Sequence, residues 1–369
     1  MPRPEVSLIV VTYQMPEHLE RVLTSIARQT VLNQLEIIVS DDGSCDATPE
    51  VVRDFARLLD RPIRFLTHLH NGFHLTRCRN AGARVATAPY LLFLDGDCIL
   101  PPDHVEQYLA VRRQGYVHFG YCYRLSREVS ERVTKPAIVS GDFVRWGSCG
   151  ERWKLTKLHA KSLFYEWIGH PTKPALKGGN IGIWRSDFER VNGFDENYRA
   201  WGCEDDDLSV RLRAAGLRVA SILGRTRTYH LWHPPAASRP TTWSAGDNVA
   251  YFKRRGRLTR CVHGLVPRAL ADLKARLLGE QIPSHVRWIE DMFGRPAVDD
   301  PAPELEVRFA GDATLFSRRA QCRVLVSDAA PTDDSADLVL PSDAFAARRL
   351  LSEQLRLPIE NEAGVVRAA

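Results

Sequence analysis

Three acidic tips carry the residue types that could do chemistry in this chain: Asp41-Asp42-Gly43-Ser44, Asp95-Gly96-Asp97 and Glu204-Asp205-Asp206-Asp207. Aspartate and serine are ordinary turn and capping residues, so the first tip alone says little. Two carboxylates across a glycine are more pointed, because they offer hard oxygen ligands with close backbone approach and suit Mg²⁺ or Mn²⁺ bridging a diphosphate. Four adjacent acids exceed what a helix start needs, even where the macrodipole tolerates them. Their repulsion is relieved by a cation, or by one of them serving as a base. His68, His70 and His74 have suggestive spacing for a metal, but a polar loop is the better explanation of them. Cys203, inside the third tip, is a poor nucleophile because neighbouring carboxylates raise a thiol's pKa.

Elements that would position these tips can be read around them. Val6 to Thr12 is apolar and β-branched, as in a buried parallel strand. Leu19, Val22, Leu23 and Ile26 then repeat with helical spacing. Leu35 to Ser40, Ile63 to Leu66 and Tyr90 to Leu94 read as further strands, with a helix over Val51 to Leu59. The alternation predicts a doubly wound α/β sheet, whose ligands bind beyond the carboxyl ends of its strands. Tyr13, Asp41-Asp42 and Asp95 to Asp97 fall at those ends. Between 128 and 177 periodicity is weak, and a loop-rich acceptor region is expected.

The chain has 369 residues, 44% of them hydrophobic, enough for a catalytic domain with an appendage. A net charge of +5 argues against a dedicated nucleic-acid binder. Eight scattered cysteines without a CxxC pair suggest neither a zinc knuckle nor a disulfide scaffold. No signal-peptide pattern opens the sequence and no run approaches ~20 apolar residues, so cytoplasmic residence is expected. Lys253 to Arg276 is basic with interleaved leucines and reads as an amphipathic helix pair, a surface for peripheral contact with anionic membrane or a solvated face packed on the catalytic domain. Residues 1–240 are expected to form the catalytic domain, 241–295 the basic helical segment, and 296–369 an accessory unit with strand-like VRFA, RVLVS and ADLVL and helix-like AFAARRLLSEQL.

SLIVVTYQ with DDGS, then RNAG, LDGD, GGNIGIWR, VNGFDENYRAWGCEDDDLSVRL and YHLWHP, in that order over Val6 to Pro234, resemble family 2 glycosyltransferases, in the branch whose catalytic C-terminal half is of galactosyltransferase and chondroitin-polymerase type. The resemblance implies the GT-A fold, a Rossmann-like mixed sheet flanked by helices, here with a C-terminal helical or α+β extension. It implies transfer of a hexose or N-acetylhexosamine from a UDP-sugar donor to a hydroxyl of a glycan or glycolipid acceptor, as in surface polysaccharide synthesis. By the same resemblance Thr12 and Tyr13 line the nucleoside pocket and Asp41 accepts from the base, with Asp42 supporting it. Arg79 and Asn80 lie near the nucleotide. Asp95, Gly96 and Asp97 serve ribose and metal, with Asp97 the ligand and His230 or His233 joining it, His230 favoured. Gly179, Asn180, Trp201 and Gly202 face the sugars. Asp205 is the base and Glu204 orients a sugar. Glu-Asp where retaining relatives carry Glu-Asn implies inversion.

Rival readings fit less well. A membrane-embedded processive synthase would carry QxxRW, whereas Arg287-Trp288 follows Gln281 at the wrong spacing. A nucleotidyltransferase would want a basic glycine-rich loop near the start, and VVTYQMPEH has none. A retaining or degenerate GT-A protein that only binds nucleotide-sugar or glycan is the alternative of another class; the presence of every expected carboxylate speaks against it.

Overall fold

VSLIVVT forms β1 (Val6–Thr12) with all its residues buried, as its apolar, β-branched composition dictates for a strand covered on both faces. The computed structural model describes residues 3–176, 178–235, 240, 242–246, 248–279, 281–294, 303–329 and 335–357. After β1 come α1 (Pro16–Ala27), β2 (Leu35–Asp41), α2 (Thr48–Leu58), β3 (Ile63–Leu66), α3 (Leu75–Val85) and β4 (Tyr90–Asp95). The apolar stripe Leu19, Val22, Leu23 and Ile26 is the buried face of α1. Next follow β5 (Cys98–Ile99), α4 (His104–Val111), β6 (Tyr116–Phe119) and β7 (Cys122–Arg124). Helices α5 (Arg127–Arg132), α6 (Lys135–Ser140) and α7 (Cys149–Trp167) lead to β8 (Asn180–Trp184), α8 (Arg185–Arg190), α9 (Glu204–Ala214), β9 (Arg218–Ser221) and β10 (Thr228–His230).

The main sheet has seven strands in the order β3-β2-β1-β4-β8-β6-β9. β1, β2, β3 and β4 are parallel, while β8 runs antiparallel between β4 and β6. That inversion builds the site. The end of β4 and the start of β8 meet at one edge, with Leu94 opposite Asn180. A smaller sheet, β5-β10-β7, pairs His230 with Cys98 and so brings the late YHLWHP segment beside Asp97.

The stretch 128–177, expected to be loop-rich, is largely helical. Sequence periodicity missed α7 because only Leu155 and Ser162 of that helix are buried, so no apolar stripe marks a core-facing side.

The chain divides into two units, Met1–Val249 and Ala250–Ala369, rather than the three expected segments. In the second unit β11 (Ala275–Leu277), β12 (Leu305–Phe309), β13 (Cys322–Val326) and β14 (Leu338–Leu340) form one parallel sheet, so residues on both sides of position 295 share a core. The strand-like and helix-like runs of the tail are real elements, the last being the helix Ala344–Leu355. The amphipathic helix pair expected over Lys253 to Arg276 does not form: the stretch holds turns, a short 3₁₀ turn at Leu270–Asp272 and the start of β11. Gly256, Gly264 and Pro267 interrupt it, and its regularly spaced leucines go into a β-sheet core instead. Among the described residues no helix is long and apolar enough to cross a membrane.

Candidate active site

Asp97 sits just beyond β4, and its Oδ2 lies 3.1 Å from His233 Nε2 and 3.5 Å from His230 Nε2. One ligand atom from each of the three lies within 4.8 Å of the others. The expectation favoured His230; the structure brings both histidines to Asp97, His233 the nearer. Burial pushes the Asp97 carboxyl up, but the hydrogen bond from His233 and the charges of both histidines outweigh it and hold it at about 2. His233 is raised by its bond to Asp97 against burial, while its Nδ1 lies 2.7 Å from the Pro234 carbonyl and donates to it. That second bond orients the ring so that Nε2 faces Asp97, the arrangement by which outer partners aim metal-binding imidazoles.

Arg79, on α3 and 1% exposed, is the hub between the second and third acidic tips. Its Nη2 donates to Asp95 Oδ1 at 3.1 Å and its Nη1 to Asp205 Oδ1 at 3.0 Å. The Phe194 ring lies 5.0 Å from the guanidinium carbon. The other oxygen of Asp205 accepts from the Gly178 N–H at 2.6 Å. Burial pushes Asp95 up, with Arg79 pulling the other way.

Gly178 and Gly179 are where two acidic tips come closest to the backbone. A Cβ on Gly178 would lie 2.5 Å from Asp205 Oδ2, and one on Gly179 2.1 Å from Asp95 Oδ2. Gly179 also has φ +82°, which side chains other than glycine's adopt at a cost. Sequence reasoning placed Gly179 at the site but omitted Gly178; the doublet itself was the available signal.

Charge in the third tip is distributed rather than pooled. Asp207 pairs with Arg211 at 2.6 Å, both fully buried, and accepts from Tyr198 Oη. Arginines therefore relieve part of the repulsion expected of four adjacent acids. Glu204 is buried and its Oε2 has no hydrogen-bond partner. Burial, then the Asp205 charge, push its carboxyl up to about 8. Trp201 is 40% exposed, next to Gly202, whose carbonyl accepts from Asn248 Nδ2 at 2.8 Å.

Three expected ligand contacts are turned elsewhere. Asp41 is 1% exposed and accepts from Gly43 N, Ser44 N, Ser44 Oγ and Thr67 Oγ1, so it builds the turn instead of facing a base. Asn80 is fully buried and clamps the Phe194 backbone and Glu196. Asn180 points into the fold, accepting from Tyr108 Oη at 2.8 Å beside His104. Asp42, also buried, lies 3.0 Å from His68 and accepts from the His74 N–H. Thr12 is buried with its Oγ1 unpartnered, against Gly96. Tyr13 stacks on His70 with ring centroids 4.3 Å apart, an aromatic wall that sequence reasoning found only by half.

Known proteins are similar to part of this chain. The family model described as Glycosyl transferase family 2 matches residues 7–176, and that described as N-terminal domain of galactosyltransferase matches 159–234. Validoxylamine A glucosyltransferase of Streptomyces hygroscopicus subsp. jinggangensis is 32% identical over 234 residues, 58% of this chain and 52% of its own length. Chondroitin synthase of Escherichia coli is 27% identical over 261 residues, 66% of this chain and 37% of its own. The chain thus spans about half the length of the first relative and less of the second. A mannosyltransferase of Pyrobaculum calidifontis, solved with GDP-Man and Mn²⁺, superposes with a TM-score of 0.43 at 20% identity, over 59% of this chain and 55% of its own. Residues 7–176 thus match glycosyltransferase family 2 and residues 159–234 the galactosyltransferase domain, so the main sheet and all three acidic tips lie within segments similar to these families.

Proposed function

We propose that this enzyme moves a hexose or N-acetylhexosamine from a UDP-sugar to a hydroxyl of a glycan or glycolipid, with inversion and with a divalent metal ion. The observation that carries the reading is the meeting of Asp97, His230 and His233 next to the Arg79-linked pair Asp95 and Asp205. One carboxylate and two imidazoles fit Mn²⁺ better than Mg²⁺, which prefers oxygen ligands throughout. Asp97, His230 and His233 would hold the ion. When bound, it supplies positive charge to the leaving diphosphate.

The rest of the chemistry falls to the chain's own side chains. Asp205, anchored by Arg79 and Gly178, takes the proton from the acceptor hydroxyl. Glu204, with a pKa near 8, carries a proton at neutral pH and donates its O–H to a sugar oxygen. Trp201 floors a sugar ring, and Tyr13 with His70 walls the nucleoside. Uridine is retained as the nucleoside on family resemblance; Asp41 does not carry that choice, since its carboxylate is engaged in its own turn.

A panel of UDP-hexoses, UDP-N-acetylhexosamines, CDP and GDP tested by thermal shift with Mn²⁺ or EDTA separates the possibilities, because a ligand that binds the native state raises its melting temperature. UDP compounds should stabilise only with Mn²⁺. Equal stabilisation in EDTA, or a larger shift with CDP or GDP, would count against the reading. Glucose transfer to a small polyhydroxylated acceptor is the second reading, favoured by the relative that acts on validoxylamine A. A product made on such an acceptor and on no polymeric glycan would select it.

A further inference from the structure

The chain's exposed large apolar residues concentrate on α7. Trp153 is 62% exposed, Phe164 54% and Trp167 82%, with Leu163 and Ile168 also exposed. At 100° per residue Trp153, Ala160, Phe164 and Trp167 stand at i, i+7, i+11 and i+14, one stripe along the helix. The buried residues Leu155 and Ser162 lie on the opposite side. The stripe therefore points outward while the helix is fastened by its back. Lysines are set into and along it: Lys157 lies over the Trp153 ring at 4.9 Å, Lys161 over Tyr165 at 5.6 Å, and Lys154, Lys157 and Lys161 follow one another at steps of about one turn. Of the helix's two acids, Glu151 pairs with Lys154 and Glu166 is drawn toward Arg213 and Arg218.

We propose that α7 is a membrane-surface helix that seats this enzyme on an anionic bilayer. Tryptophan and phenylalanine beside lysine suit the boundary between headgroups and acyl chains, where the rings meet hydrocarbon and the ammonium groups meet phosphate. A protein partner would leave Lys154, Lys157 and Lys161 to be desolvated, whereas anionic headgroups complement them. Contact with membrane thus belongs to α7 and not to Lys253 to Arg276, where no amphipathic helix forms. The chain leaves α7 at Trp167 and returns to the site at Gly178, so a seated helix connects to the loop that touches Asp205. The proposal does not depend on the identity of donor or acceptor.

The test is sedimentation of the full chain with vesicles of phosphatidylcholine alone or mixed equally with phosphatidylglycerol, together with intrinsic tryptophan fluorescence. The protein should sediment with the anionic vesicles, shift its emission to the blue, and detach as salt is raised. Each of Lys154→Gln, Lys157→Gln and Lys161→Gln should weaken partition about fivefold. Combined Trp153→Ala, Phe164→Ala and Trp167→Ala should abolish it while leaving the melting temperature and donor hydrolysis unchanged. Trp167→Ala alone, at the most exposed position, gives the same reading if the triple variant folds poorly. Absence of binding by the unaltered protein at low salt, or equal binding by the aromatic variants, would overturn the proposal. So would a dimer by light scattering that the aromatic variants turn into monomer, since the stripe would then be covered by a second copy.

Discussion

Asp205 and Glu204 are neighbours in sequence with opposite surroundings. Asp205 accepts from a guanidinium and a backbone N–H, whereas Glu204 is buried with one oxygen unpartnered. Asp205→Asn keeps the shape and an acceptor oxygen but loses basicity, so kcat for transfer should fall by about 10²- to 10⁴-fold with nucleotide affinity little changed. Near-normal turnover would remove Asp205 from the proton's path. Glu204 makes a different prediction. Its folded pKa of about 8 lies above the ordinary 4.5, so it favours the folded state most at low pH, and that contribution is lost as pH rises from about 4.5 through about 8. Glu204→Gln should flatten the fall in melting temperature over that window, measured in EDTA. An unchanged pH profile would mean that Glu204 is not the group titrating there. At this scale the carboxylates were legible because their types and spacing announce them. Asn80 and Asn180 were misplaced because direction, not identity, decides their role: on β8 successive side chains alternate between faces, and Asn180 takes the side of Tyr108.

At the scale of elements, the antiparallel β8 is what carries the Gly178-Gly179 turn to the ends of the parallel strands. Gly179→Ala should both strain the backbone and press on Asp95, costing about 1–3 kcal/mol of stability. Urea unfolding measures this, and transfer should fall further than stability alone accounts for, because Asp95 must move. A variant as stable and active as the parent would show that the turn has room it lacks here. The parallel strands and α1 were readable from apolar runs and helical spacing, signals produced by burial itself. Helix α7 was not, because its apolar residues lie on both faces, Leu155 buried at the back and Trp153, Phe164 and Trp167 exposed at the front, so no single stripe stands out in the sequence. Leu258, Val262, Leu265, Leu270, Leu273 and Leu277 gave the opposite error, a helical spacing in a stretch that glycines and a proline break.

At the scale of the whole molecule, the first of the two units ends at Val249. Asn248 belongs to that unit and holds the carbonyls of Ala200 and Gly202 on either side of Trp201. A chain ending at Val249 is expected to bind donor and hydrolyse it, whereas one ending at Pro240 should lose sugar-dependent activity as the Trp201 loop loosens. Comparing donor hydrolysis by the two, after checking that each is folded, decides the point; equal activity would leave Asn248 without this role.

Arg79 answers to two masters, and this has a consequence for the order of events. While Asp95 and Asp205 are both ionised, one buried positive charge is divided between them. In the proposed reaction Asp205 would become neutral on accepting the acceptor's proton, and that charge would pass undivided to Asp95. The carboxylate beside Asp97 would then be most firmly balanced just as the product forms, with the balance restored only when Asp205 gives its proton to water. Such a turnover would swing a fixed cation's allegiance from one acid to the other and back, so that the donor end of the site would register whether the acceptor end has been reset.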